Sequence, residues 1–158
     1  MSAQDVGFLS SSYTFWNHLN EHQKELVLNN ISLLEYQQGD SIHSGDHDCA
    51  GLLLVKSGTL RIYILSEEGR EITLYRIYEG DVCILSASCL LGNITFDVHI
   101  DAESHCQILL LNSSTFDKLS RQNIYVENFS YKIAADRFSD VMWAMQQILF
   151  MSFDKRLA

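Results

Sequence analysis

Residues 51–81 read GLLLVKSGTLRIYILSEEGREITLYRIYEGD. Three apolar runs, LLLV, LRIYIL and ITLYRIY, are each of strand length and rich in β-branched or aromatic residues. Ser57-Gly58 separates the first two, and SEEGRE at 66–71 separates the second pair as a hairpin turn. Outward from this block, ITFDVHID at 94–101 and CQILLL at 106–111 supply further runs. Gly39-Asp40, Gly45-Asp46 and Gly80-Asp81 punctuate them as turns. Short strands at such regular spacing predict an antiparallel sandwich or barrel, spanning roughly residues 33–119.

The flanks change period. Residues 16–29 predict a short helix, with Asn20 as its N-cap and Gln23 reaching back to it. Leu19, Leu26 and Val27 would face inward. Residues 123–153 predict a long helix. Ile124, Tyr131, Phe138 and Met145 recur every seven positions, and Ala134, Val141 and Ile148 follow the last three of these by three. Ala135, Met142 and Leu149 widen the stripe, while Trp143 lies on another flank. A seam of this kind predicts a homodimer through the helix. The alternative is a helix packed only on its own sheet.

Composition sets the bounds. The chain has 158 residues, 47% of them hydrophobic, which is enough for one domain with a sizeable core. A net charge of −9 argues against this segment gripping nucleic acid, where clustered cations are needed. No run is long enough to span a bilayer, and MSAQDVGFLSSSYTFW lacks the layout of a secretory signal, so the expected location is cytoplasmic. The four cysteines, Cys49, Cys83, Cys89 and Cys106, form no CxxC pair, so no zinc clip is indicated.

The order of a lid helix, a β-roll with Gly-Asp turns and a long seam helix resembles the sensor half of the Crp/Fnr family of bacterial transcription regulators. The stretch YQQGDSIHSGDHDCAGLLLVKSGTLRIYILSEEGREITLYRIYEGD, residues 36–81, is similar to that family's opening β-roll. FMSFDKRLA, residues 150–158, resembles the hinge before the family's helix-turn-helix domain. The resemblance implies a mainly β jelly roll, an antiparallel double-stranded β-helix of the cyclic-nucleotide-binding type. It places a sensor domain with its N-terminal helix at 1–120 and a dimerisation helix and hinge at 121–158. It also implies an effector-responsive regulator, not an enzyme, that meets DNA only through a further domain.

The resemblance puts the effector loop after Gly80-Asp81. In cyclic-nucleotide-binding members this loop carries an arginine that forks onto the phosphate. Here Ile94-Thr95 occupies that Arg-Ser position, and residues 77–117 contain no Lys or Arg. The same span holds six acids: Glu79, Asp81, Asp97, Asp101, Glu103 and Asp117. Burying a phosphate there without a cation would cost several kcal/mol. The expected effector is therefore a small molecule other than a cyclic nucleotide, with no resident cofactor. Candidate contacts are Gly80, Asp81, Val82, Cys83, Ile84, Leu85, Ser86, Thr95 and Phe96, closed over by Val141 and Met142 of the helix. The alternative makes Val82, Ile84 and Leu85 plain core. The resemblance also pairs Asp81 with Arg137, a contact that would couple loop to helix; the alternative is a solvated Arg137 on the helix exterior.

Other readings stay open at this stage. Cys83 and Cys89 share the loop and form a candidate redox pair, with two small buried hydrophobes as the alternative. No cysteine precedes Cys49, so the iron–sulfur device of some relatives is missing as that family builds it. Haem sensing would need an axial ligand from His43, His47, His99, His105 or a cysteine, and spacing singles out none. A cupin-type metal enzyme wants a His-x-His motif, which the chain lacks. A ligand-free structural dimer is the last rival.

Overall fold

The computed structural model describes residues 2–43, 51–83 and 98–157, with the side chains of 148 and 151–157 outside that description. The described strands of the roll are β1 (Ile31–Tyr36), β2 (Ser41–His43), β3 (Leu52–Ser57), β4 (Leu60–Leu65), β5 (Glu71–Ile77), β6 (Val82–Cys83), β7 (His99–Ala102) and β8 (Cys106–Leu111). Strands β3, β4, β5 and β8 follow the apolar runs of the sequence, β7 covers the end of ITFDVHID, and β1, β2 and β6 lie outside the sequence reading. The described strands make two antiparallel sheets, ordered β1-β8-β3-β6 and β2-β7-β4-β5, packed as a jelly roll.

The uninterrupted run at β3 follows from its place in these layers. Leu53 and Val55 face the opposite sheet, while Leu52 and Leu54 face a helical layer, so both sides of the strand are covered. Strand β8 is used likewise: Cys106 and Ile108 point between the sheets, and Leu109 and Leu111 point to the helices. Gly58 holds the β3–β4 turn at a φ of +93°, and a Cβ there would stand 2.4 Å from the carbonyl oxygen of His105. The predicted hairpin joins β4 to β5, closed by the Ser66 N–H donating to the Arg70 carbonyl at 2.8 Å.

Four α-helices flank the roll among the described residues: α1 (Ala3–Ser12), α2 (Glu21–Asn30), α3 (Ser113–Gln122) and α4 (Ile124–Leu157), with a 3₁₀ turn at Trp16–His18. The Asn20–Gln23 capping box starts α2, and Leu19 and Val27 are buried with Leu26 packed against them. Two helices lie outside the sequence reading. Helix α1 has its own capping box, Ser2 with Asp5, and the Asp5 carboxylate also meets Lys56 of β3 at 2.6 Å. Helix α3 occupies residues read as the end of the β region. Asn112 caps it by accepting the Thr115 N–H at 2.9 Å, and Phe116 and Leu119 are buried. Asn123 breaks the path between α3 and α4, its side chain accepting the Tyr125 N–H at 2.9 Å.

Helix α4 runs for 34 residues and touches both cores. Val126 and Phe129 enter the helical core, and Val141 enters the core between the sheets. No described helix is long and apolar enough to cross a membrane.

Candidate effector site and helix face

The Gly80-Asp81 turn repeats the geometry of Gly39-Asp40. In each, the Asp carboxylate accepts the N–H three residues earlier: Asp40 from Gln37 at 2.8 Å, Asp81 from Tyr78 at 2.9 Å. In each, the glycine N–H donates to a neighbouring strand, Gly39 to Ala102 of β7 at 2.8 Å and Gly80 to Val55 of β3 at 2.9 Å. Asp81 is thus a turn-forming residue first. The turn sends the chain into β6, where Val82 pairs with Leu54 and Cys83 with Leu53.

Val82 faces the helical core, and Cys83 is fully buried between the sheets. Ile84, Leu85, Ser86, Cys89, Thr95 and Phe96 lie outside the described residues, as does the Cys83–Cys89 pairing. Gly80, Asp81 and Val82 line a recess of about 230 Å³ against α4, whose side is formed by Ile133, Asp136 and Arg137. The structure therefore brings Asp81 and Arg137 to one cavity. Among the described residues Arg137 makes its ion pair with Asp140, at 3.2 Å, and its guanidinium also lies over the Tyr75 ring at 5.1 Å.

Tyr75 is the residue that sequence reasoning missed. Its ring is buried in the core between the sheets, its hydroxyl beside the Cys83 thiol, and burial pushes the phenol far above its ordinary range. Strict alternation on β5 would bury only every second residue. A bulge shifts the register at Ile62/Tyr63, so Tyr63 pairs with Thr73 and Ile62 with Tyr75. Leu74 and Tyr75 are then buried together. The signal in the sequence is the aromatic within ITLYRIY, and the bulge that aims it leaves no local trace.

On α4, Val141 and Met142 point apart: Val141 is buried in the roll, while Met142 is 44% exposed. Of the seam residues, Ile124, Tyr131 and Phe138 are exposed, Phe138 at 65%. Ala134 and Met145 instead pack against the chain's own cores, as Val141 does, and the Ile148 side chain is not described. The outward apolar row runs Ile124, Tyr131, Phe138, Met142, Leu149, with Trp143 and Phe150 on a neighbouring flank.

Among the described residues the histidines are dispersed, and His47 lies outside them. His99 stacks on Tyr63 at 5.2 Å, and His105 meets Glu35 across the β1–β8 pair. Among the described residues no group of three or more His, Cys, Asp or Glu side chains is placed to hold a metal ion.

A two-sheet roll with a Gly-Asp turn under a long helix defines a class, and residues 33–123 match the cyclic nucleotide-binding domain family. A protein from Eubacterium rectale assigned to the Crp/Fnr family of transcriptional regulators has a similar structure, with a TM-score of 0.85 and 45% identity. The match covers 93% of this chain and 68% of that one. The chain therefore belongs to the Crp/Fnr family and carries its cyclic nucleotide-binding domain. DNR from Pseudomonas aeruginosa shares the fold at a TM-score of 0.70 and 15% identity, over 94% of this chain and 64% of that one. So does the regulatory subunit of a cAMP-independent protein kinase A from Trypanosoma brucei, at 0.66 and 18%, over 90% and 50%. No curated protein sequence matches the chain.

Proposed function

We propose that this chain is the effector-sensing and dimerisation portion of a DNA-binding transcription regulator, and that its effector is not a cyclic nucleotide. Residues 1–120 would sense, and residues 121–158 would pair two copies and pass the signal to a DNA-binding domain. The single observation that carries the effector reading is the state of Arg137. It is the one basic side chain lining the described recess, and it is committed to Asp140 and Tyr75. Asp81 and Asp136 line the same recess, and residues 77–117 supply no Lys or Arg. A bound phosphate would face an acidic surround with no cation to spare, where desolvation outweighs attraction.

The fold itself does not demand a cyclic nucleotide. The trypanosomal kinase subunit is named as cAMP-independent, and a variant of it with three substitutions, one of them threonine to arginine, is bound to cAMP. In this chain the effector would favour one arrangement of loop and α4, with Asp81 and Arg137 coupling the two across their shared recess.

Calorimetric titration with cyclic AMP and cyclic GMP tests the effector reading, and no binding is expected. Micromolar affinity for either nucleotide overturns it. Native mass spectrometry of the purified chain reports the dimer together with any co-purified small molecule.

A further inference from the structure

We propose that the groove between the Trp16–His18 turn and the start of α4 is a separate ligand site, for a small aromatic carboxylate. It borders the recess at Asp81 through Phe129, shares no other lining residue with it, and stands independently of the effector reading. The groove is a cavity of about 310 Å³, the size of a small-molecule pocket. Its floor belongs to the buried aromatic cluster, where Phe15 meets Phe129 edge-on at 4.9 Å and Tyr13 stacks on Phe15 at 5.0 Å. One wall is a parallel pair, the His18 imidazole lying on the Tyr125 ring at 3.7 Å and 5°.

That wall is held in place before any ligand arrives. The Asn123 side-chain amide donates to the His18 carbonyl at 3.0 Å, and the His18 N–H donates to the Phe15 carbonyl at 2.9 Å. Preorganisation of this kind lowers the cost of binding.

Charge selects the ligand's other end. The polar residues of the lining include Thr14, His18, Asn128 and Lys132, and no Asp or Glu lines the cavity. This stands out in a chain with 20 acids and a net charge of −9. Among the described residues no carboxylate makes an ion pair with Lys132. A lysine beside three residues able to donate hydrogen bonds suits a monoanion, and a carboxylate is the matching group. Flat aromatic walls suit a planar ring. An aliphatic acid would keep the charge contact but lose the stacking, and a neutral ring would do the reverse. A ligand held here would tie the N-terminal turn to α4 next to Tyr131, a member of the exposed apolar row.

Titrating benzoate into the isotope-labelled full chain, followed by NMR, tests the proposal. Saturable shifts are expected in the His18 and Tyr125 rings and the Lys132 amide, with cyclohexanecarboxylate and benzyl alcohol binding several-fold more weakly. Lys132→Gln is expected to weaken benzoate about tenfold, the loss of one charge-assisted contact. Tyr125→Leu should weaken it as well, and both residues are exposed, so melting temperatures should hold. No saturable shift at millimolar benzoate, shifts centred elsewhere, or undiminished binding by Lys132→Gln would each overturn the site.

Discussion

The guanidinium of Arg137 on α4 lies 5.1 Å from the ring centre of Tyr75 on β5, above a phenol whose hydroxyl sits beside Cys83 of β6. Three elements meet at this point: the strand before the candidate loop turn, the strand after it, and the long helix. A cation over a largely buried ring is worth about 0.5–2 kcal/mol. Tyr75→Leu and Arg137→Gln, made singly and together, should therefore show a coupling of about that size by urea denaturation. Strictly additive losses would mean that ring and guanidinium merely neighbour each other.

The loop–helix coupling has its own cycle. Asp81→Ala deprives the Tyr78 N–H of its acceptor, which should cost about 1 kcal/mol, and Asp40→Ala should match it because the turns are alike. If Asp81 also answers to Arg137, the Asp81→Ala and Arg137→Ala pair will be less than additive in dimer stability. Full additivity removes that link and leaves Asp81 as a turn residue.

Asp5 gives a pH dependence. Its hydrogen bond with Lys56, helped by the Ser2 N–H, holds the carboxyl at about 2 against an ordinary 3.8. A carboxyl depressed on folding stabilises the fold above its unfolded value, and that contribution fades as pH falls from about 4 toward 2. Lys56→Met should cost about 1–3 kcal/mol at neutral pH and flatten the acid limb of the stability profile. An Asp5 carboxyl that titrates near 4 in the unmodified protein, followed by NMR, would contradict this.

The exposed row on α4 predicts its own disruption. Phe138→Asp places a charge in the middle of the proposed seam without touching either core, since Phe138 is 65% exposed. Sedimentation velocity should show the variant as a monomer with a near-native circular dichroism spectrum. A variant that still sediments as a dimer would move the interface away from this row.

Gly58 and Gly80 separate strain from collision. Both have positive φ, at +93° and +86°, but a Cβ meets the His105 carbonyl oxygen at 2.4 Å only at Gly58. Gly80→Ala should cost about 1–2 kcal/mol. Gly58→Ala should cost clearly more, because the β3–β4 turn must also open. Equal losses in thermal denaturation would show that the turn yields freely.

Much of the roll was legible because its cues are local. The Asn20–Gln23 capping box, the SEEGRE hairpin and the apolar runs of β3, β4, β5 and β8 depend on neighbours a few residues away. Helix α1 escaped notice although Ser2 and Asp5 carry a cap signal, because what stabilises it is largely distant: Leu9 and Tyr13 in the helical core and Lys56 on β3. Helix α3 was merged with the strand before it, since CQILLL runs straight into Asn112 with no glycine or proline between. The heptad was read correctly as helix but divided by the fold. An α-helix drifts about 20° per heptad relative to a straight seven-residue stripe. By Met145 the stripe has turned into the chain's own core, and Met142 and Leu149 take the outward places.

The sequence by itself determined strands β3, β4, β5 and β8, helices α2 and α4, the family, and a loop region without a positive side chain. These are properties of residue type and spacing, and no folding can add a cation to residues 77–117. Only the tertiary structure decided that the Arg137 guanidinium lies over the Tyr75 ring, that Leu74 and Tyr75 are buried together, and which part of the apolar stripe on α4 stays exposed. Each of those depends on segments distant in the chain being packed side by side, which local pattern cannot encode.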